Sequence, residues 1–322
     1  MSRLPKISIN IPLITDGDAS IVLLSLKKIK YPKRLIEVII VEGNQIAKQR
    51  NIALKNSSGK ILYLLDNDSR VRPSSFKILA KEFANPNVAA VGGPSLTEEG
   101  KGDYFSELIG YCLATFFGAM RMRYRYGKEF SKKGSEYRLI GANLALRKDA
   151  VIAVGKFNEN IVPNEETELL RRLKKAGYGL KYNEKLFIYR ENRKNILSLA
   201  KQFHHYGVGR MKQILINFIP EDILFIIPIG FLIYLITLIF FHPLWSIFPL
   251  FLYFILGMAT SLKASIKFKK PDLLVTMLLI FPIVHISYAI GLLHELLFKG
   301  NSEKRKNSNV GRVTKITKLA FK

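Results

Sequence analysis

The sequence has little of what a secreted fold relies on. Cys112 is the only cysteine in 322 residues, which excludes an intramolecular disulfide and fits a reducing compartment. No secretory leader is legible, because the apolar stretch Ile7 to Ile14 is short, is interrupted by Asn10 and Pro12, and lacks a small-residue cleavage site. The leading domain is therefore expected to stay in the cytoplasm. Acidic residues are scarce, 25 against 50 lysines and arginines, which leaves a formal charge of +25. Such an excess fits nucleic acid or an anionic membrane surface. No nucleic-acid module is present and the basic residues are dispersed rather than gathered on one element, so no nucleic-acid partner is expected.

Charge is also missing from three late stretches. Ile223 to Phe241 and Pro243 to Leu262 carry none, and Leu273 to Phe298 carries only Glu295, close to its end. Each is long enough to cross the roughly 30 Å hydrocarbon core as a helix. A charge at the bilayer centre costs about 2.5–3.5 kcal/mol, so its absence from three successive segments points to lipid. The expected organisation is a cytoplasmic domain over 1–222, a membrane region over 223–298 with segments at 223–241, 243–262 and 273–298, and a basic disordered tail over 299–322.

Upstream of these stretches, apolar residues come in short runs. Ile7 to Pro12, Ile36 to Glu42, Lys60 to Leu65 and Val88 to Gly92 read as buried strands, and Ala19 to Ile29, Gln45 to Asn56 and Ser74 to Phe83 read as helices between them. The alternation predicts an α/β fold with a mainly parallel sheet covered on both faces. Tyr104 to Met120 is apolar and aromatic and gives way to the basic-aromatic Arg121 to Tyr126. It reads either as a covering helix or as a helix in the membrane interface. Residues 195–218, just ahead of the first apolar stretch, read as interfacial.

The strongest chemical signal is Asp66-Asn67-Asp68, directly after the apolar strand Ile61-Leu62-Tyr63-Leu64-Leu65. Ligands of open α/β sheets bind outside the carboxyl ends of strands, so these carboxylates stand where a ligand would be. Two carboxylates one residue apart suit a hard cation, Mg²⁺ or Mn²⁺, that takes its remaining oxygens from phosphate.

With these residues in view, the chain resembles glycosyltransferase family 2, whose members have the GT-A fold. The matching pieces run in the family's order over roughly residues 5 to 215. They are the opening strand ending at Pro12, Tyr31-Pro32, Gln49-Arg50-Asn51, Ser58-Gly59-Lys60-Ile61, the Asp-Asn-Asp with Pro73 soon after, and Gly141-Ala142-Asn143 followed by Arg147, while Gly92-Gly93-Pro94 and the domain order resemble the family's membrane-anchored, succinoglycan-biosynthesis-type subset. Gly155-Lys156-Phe157-Asn158-Glu159, Asn164-Glu165-Glu166-Thr167-Glu168-Leu169 and Lys175-Ala176-Gly177-Tyr178 complete the series.

The resemblance implies roles. Pro12, Glu42, Arg50 and Asp66 would contact the nucleotide-sugar donor, and Asp68 with Asp66 would hold the divalent metal. Glu166 stands at the catalytic-base position, with Glu165 and Glu168 as alternatives because the segment reads Glu-Glu where the family commonly has Glu-Asp. On a helix Glu165 and Glu168 share a face and Glu166 points elsewhere. Gly141, Ala142 and Asn143, with His204, His205 and Arg210, would lie on the acceptor side. Two departures stand out. The stretch between Glu42 and Arg50 is shorter than the family's usual one, and the Arg-Trp of the processive members' Gln-x-x-Arg-Trp motif is absent after Gln202. Single-sugar transfer is therefore expected.

The implied activity is an inverting, metal-dependent transfer of one sugar to a membrane acceptor carried on a polyprenyl diphosphate. The rivals are a polyprenyl-phosphate sugar synthase of the dolichyl-phosphate mannose synthase type and a catalytically silent membrane scaffold. On topology, the resemblance favours three crossings. The basic tail, with Lys299, Lys304, Arg305, Lys306, Arg312, Lys315, Lys318 and Lys322 against Glu303, favours a cytoplasmic end. Pro282, His285, His294 and Glu295 make an interfacial or re-entrant third segment the way to reconcile the two.

Overall fold

The computed structural model describes residues 4–100, 102–128, 135–241, 243–298 and 310–316. Among the described residues ten strands form in chain order: β1 (Ile7–Leu13), β2 (Ile36–Gly43), β3 (Ile61–Leu65), β4 (Arg70–Val71), β5 (Val88–Gly92), β6 (Ser95–Leu96), β7 (Asn143–Arg147), β8 (Gly179–Tyr182), β9 (Ile188–Tyr189) and β10 (Val310–Ile316). The α-helices are α1 (Ser20–Lys27), α2 (Ile46–Asn56), α3 (Ser75–Glu82), α4 (Tyr104–Leu113), α5 (Phe116–Ala119), α6 (Lys148–Ala153), α7 (Glu165–Lys175), α8 (Ile196–Ile216), α9 (Ile223–Phe240), α10 (Phe248–Phe268) and α11 (Leu273–Phe298). The chain divides into two compact units. One comprises residues 1–98, 124–191 and 305–322, and the other residues 99–123 and 192–304. The boundary expected at 222 therefore moves. Residues 99–123 and 192–222 group with the apolar helices, because α8 packs along α11 and Lys270 on the α10–α11 link pairs with Glu107 of α4 at 3.1 Å.

In the first unit a seven-stranded sheet runs β10-β2-β1-β3-β7-β5-β8. The sheet expected to be mainly parallel is mixed. β1 is parallel to β2 and β3, and β5 to β8, whereas β7 and β10 run antiparallel to their neighbours. The reason is connectivity, since β7 enters between β3 and β5 only after the chain has passed through residues 99–123 of the other unit. β3 shows how both faces are filled, as alternation along a strand requires. Ile61, Tyr63 and Leu65 join a core with Ile9, Val22, Leu26 and Phe76, while Leu62 and Leu64 join Leu144, Leu146, Leu169 and Leu173 on the opposite face. A small second sheet runs β4-β9-β6.

The tail expected to be disordered is corrected over Val310–Ile316. This segment pairs antiparallel with β2, Thr314 opposite Ile40 and Lys315 opposite Ile39. Its polar composition hides a strand whose stability comes from its partner. Lys315 reaches the buried Glu37 at 3.4 Å and the Asn56 carbonyl at 2.9 Å. The rest of 299–322 lies outside the described residues, as do the tail cations Lys299, Lys304, Arg305, Lys306, Lys318 and Lys322.

In the second unit, Pro220–Phe240, Trp245–Phe268 and Leu273–Phe298 are helices long and apolar enough to cross a membrane. Close approach of α8 and α11 is made by two glycines: a Cβ on Gly207 would stand 2.2 Å from the Tyr288 carbonyl oxygen, and one on Gly291 2.0 Å from that of His204.

Candidate active site

The connection between β2 and α2 is only Asn44 and Gln45, so α2 starts directly beside the strand ends. Its three consecutive polar residues each hold a different segment. Gln49 Nε2 donates to the Leu13 carbonyl at 2.8 Å and the Val41 carbonyl at 2.7 Å, tying the ends of β1 and β2 together. Asn51 exchanges hydrogen bonds with Phe157, Nδ2 to its carbonyl at 2.9 Å and Oδ1 from its N–H at 3.0 Å. Arg50, expected to contact the donor, turns inward: it is buried and ion-paired with Glu165. Gly141 leaves room for this guanidinium, since a Cβ there would stand 2.7 Å from Arg50 Nη2.

Two glycines of the other sequence motifs are likewise close approaches. A Cβ on Gly59 would meet Ser8 Oγ at 2.6 Å, and one on Gly93 the Leu186 carbonyl oxygen at 2.1 Å. Asn143 is fully buried, accepting from Tyr63 Oη at 2.6 Å and donating to the Leu186 carbonyl at 2.6 Å and the Pro94 carbonyl at 3.3 Å. Gly141, Ala142 and Asn143, expected on the acceptor side, are all enclosed. Asn143 spends its amide holding β3 to the loops around Pro94 and Leu186.

Asp66 and Asp68 emerge at the carboxyl end of β3, as expected. The turn between them is fixed by the Ser69 N–H to the Asp66 carbonyl at 3.1 Å and by Asn67 Nδ2 to the Asp18 carbonyl at 2.7 Å. Arg190, not singled out from the sequence, joins the two carboxylates: its Nη1 lies 2.8 Å from Asp66 Oδ2 and its Nε 2.9 Å from Asp68 Oδ1. Its position comes from the small sheet. β9 pairs with β4 and β6, and the Arg190 N–H continues the ladder to the Leu96 carbonyl at 2.8 Å.

The Glu165-Glu166 pair opens α7, where the helix dipole favours carboxylates. Although Glu166 points away from the face that Glu165 and Glu168 share, all three are buried, and each pairs with a different arginine. Glu165 has Arg50. Glu166 has Arg125 at 3.4 Å, and Arg125 is itself held by the carbonyls of Tyr137 at 2.9 Å and Glu136 at 3.0 Å. Glu168 gives both oxygens to Arg172, at 2.7 Å each, which removes it from the candidate bases. Burial pushes the Glu165 carboxyl up to about 7 against the pull of Arg50, and Glu166 and Asp66 add to the rise. Glu165 Oε2 is buried without a hydrogen-bond partner among the described residues. Pro12 and Glu42 are half-buried at the ends of β1 and β2.

His204, His205 and Arg210 belong to the second unit. His204 Nε2 lies 3.2 Å from His294 Nδ1, and His205 Nδ1 2.9 Å from the Lys201 carbonyl. Arg210, expected on the acceptor side, is buried instead, donating to Gln213 Oε1 at 2.7 Å with its guanidinium 4.4 Å above the Phe225 ring.

Two carboxylates on one turn, with no third acidic or histidine ligand gathered there among the described residues, fit a hard cation that arrives with phosphate oxygens of its own. Comparison with known proteins gives the family and the fold. Residues 61–293 match the model of the glycosyl transferase family group 2. The succinoglycan biosynthesis protein ExoA of Rhizobium meliloti (strain 1021) is 36% identical over 75 residues, a match spanning 23% of this chain and 23% of that protein. Among solved structures, the mannosyltransferase PcManGT from Pyrobaculum calidifontis, in complex with GDP-Man and Mn²⁺, superposes with a TM-score of 0.57 at 13% identity over 92% of this chain and 89% of its own. S. aureus TarS 1–349 in complex with UDP-GlcNAc gives 0.44 at 14% identity over 90% and 91%.

Proposed function

The chain belongs to the glycosyl transferase family group 2, and on that premise we propose that it moves a single sugar, with inversion, from a nucleotide-sugar to a lipid-linked acceptor at a membrane. The observation that carries this reading is the pair Asp66 and Asp68 at the end of β3, drawn together by Arg190, with the buried carboxylates of Glu165 and Glu166 on the same unit. Pro12 and Glu42 would face the nucleoside, and Asp66 and Asp68 would hold a divalent metal with the donor diphosphate. When bound, that metal would neutralise charge on the departing diphosphate. Arg190 must release the carboxylates for this, and its cationic head is then left beside the diphosphate.

The reaction is a single displacement. The acceptor hydroxyl oxygen attacks the anomeric carbon, the bond from that carbon to the diphosphate oxygen breaks, and the hydroxyl proton passes to a carboxylate. Glu166 is the proposed base, because Glu165 is tied to Arg50 and Glu168 to Arg172, whereas Arg125 stands off Glu166 by 3.4 Å. A carboxylate in that role contributes roughly 10²–10⁴-fold. The apolar helices place the acceptor, a polyprenyl diphosphate with or without sugars already attached, in the plane of the bilayer, with the catalytic unit cytoplasmic. The test is partition of label. Purified protein given a radiolabelled nucleotide-sugar and a membrane lipid extract should transfer label to the organic phase with inverted anomeric configuration. Retention of configuration, or label only in water-soluble polymer, refutes the proposal.

A further inference from the structure

β2 is a strand of eight residues, Ile-Glu-Val-Ile-Ile-Val-Glu-Gly, whose Ile36, Val38, Ile39 and Val41 are fully buried. β1 covers one edge of it. Left open, the other would be a long apolar edge with unpaired N–H and C=O groups, which invites aggregation. β10 takes that edge, with Val310 opposite Gly43, Val313 opposite Val41, Thr314 opposite Ile40, Lys315 opposite Ile39 and Ile316 opposite Val38. The pairing is also chemically matched. Glu37 is fully buried with hydrogen bonds from Ser58 N at 2.5 Å and Ser58 Oγ at 2.6 Å, and Lys315 supplies a cation at 3.4 Å.

We infer that β10 is a built-in part of the donor-binding sheet, that the chain therefore returns to the catalytic side after its apolar helices, and that only α9 and α10 cross the membrane while α11 stays on the catalytic side. A hydrogen-bonded sheet lies on one side of a bilayer, so an even number of crossings separates β9 from β10. Three helices long and apolar enough to cross lie between them, and at least one does not cross.

Packing within the second unit identifies it. The apolar stretch of α11 is the most buried of the three, 33% against 11% for α9 and 17% for α10. Its partner α8 carries Lys201, His205, Arg210 and Lys212, too many ionisable groups for a crossing helix. Both ends of α11 are held by polar residues of elements that do not cross. Asp272, just before it, accepts from Tyr104 of the ten-residue α4, which at about 1.5 Å per residue cannot span a bilayer. Near its other end the buried Glu295 pairs with Lys212 of α8 at 3.9 Å, and His294 meets His204 at 3.2 Å. A crossing α11 would put these two anchors on opposite sides. α11 lies instead with α8, its apolar surface toward the acyl chains and its polar pairs toward the headgroups.

This inference rests on the proposed membrane attachment, and three single cysteines in a Cys112→Ala background separate the two. Lys77→Cys on α3 reports the catalytic unit, Trp245→Cys the link between α9 and α10, and Val313→Cys the strand β10; all three positions are exposed. With a membrane-impermeant maleimide on intact cells, only Trp245→Cys should label, and the other two should label after permeabilisation, in denaturant if the native strand reacts slowly. Labelling of Val313→Cys together with Trp245→Cys in intact cells overturns the inference. Protection of all three until permeabilisation overturns the crossing of α9 and α10 but leaves Val313 and Lys77 on one side. Ending the chain at Lys304 should lower the melting temperature by about 5 °C or more and weaken donor binding. An unchanged melting temperature would show that β10 is not part of the sheet.

Discussion

Replacing Arg190 by glutamine should make the protein bind Mn²⁺ more tightly when no nucleotide is present. In the ligand-free chain the guanidinium makes two ion pairs, 2.8 Å to Asp66 and 2.9 Å to Asp68. A metal ion has to displace both before the carboxylates can serve it. The side chains are 27%, 25% and 35% exposed, so water screens the pairs, and each contributes about 0.2–1 kcal/mol rather than the value of a buried pair. The two together amount to about 0.4–2 kcal/mol, which at about 1.4 kcal/mol per decade is roughly a 2- to 30-fold gain in Mn²⁺ affinity. Arg190→Lys should fall short of this gain, since it keeps the charge but loses the two-pronged geometry. Titration of Mn²⁺ by calorimetry or electron paramagnetic resonance reads the effect without any turnover. Donor affinity in saturating Mn²⁺ should move the opposite way, because the cation left beside the diphosphate is gone. Mn²⁺ affinity that is unchanged or weaker in Arg190→Gln would refute the competition between arginine and metal for these two carboxylates.

Three further outcomes are expected. Glu166→Gln should leave donor affinity unchanged and lower turnover by roughly 10²-fold or more; a larger loss in Glu165→Gln would move the base to Glu165. In that case wild-type turnover should rise with pH through about 7, where the raised Glu165 carboxyl ionises, and a pH–rate profile of Glu165→Gln should lack that limb. Burial works to raise the Glu37 carboxyl, but hydrogen bonds from Ser58 and Ser8 and the charge of Lys315 overcome it and hold it down at about 2. A depressed carboxyl contributes stability above its ordinary value of 4.5 that is lost as pH falls toward 2, here roughly 2–3 kcal/mol; denaturation against pH should show this loss in the wild type and not in Glu37→Gln. Gly141→Ala should cost about 1–3 kcal/mol in a denaturant titration, because the new methyl displaces Arg50 from under the loop.

The local part of this protein is legible in its sequence and the long-range part is not. β1, β2 and β3 are dense in Ile, Val and Leu and bounded by turn residues, so their periodicity marks them within a residue or two. Asp66 and Asp68 stand out because they follow an unbroken apolar strand. Arg190 gives no such signal: it is one of 50 cations, and only the pairing of β9 with β4 and β6 brings it to the acidic turn. The same holds for Arg50, whose place in a recognisable motif says that it matters but not that it points inward to Glu165. Gly141 and Asn143 lie in a segment that resembles the family's acceptor-side motif, and nothing local in the sequence says that both are buried, Asn143 bonded to Tyr63, Pro94 and Leu186 and Gly141 against Arg50. β10 is the sharpest case. Its composition is polar and basic, its strand character comes entirely from β2 some 270 positions earlier, and no window of local sequence contains both partners. β-strand preference depends on context in just this way.

The central claim is that the carboxylates after β3 hold a metal and a sugar donor for transfer. The most direct test is a panel of nucleotide-sugars incubated with purified protein and Mn²⁺, reading release of nucleoside diphosphate, with Asp68→Ala in parallel and folding of both proteins checked by their melting curves. One donor should be turned over by the wild type, the release should stop when Mn²⁺ is chelated, and Asp68→Ala should be inactive while melting normally, since its loop carboxylate carries little packing. Turnover by Asp68→Ala equal to that of the wild type, or release that persists without metal, would contradict the account.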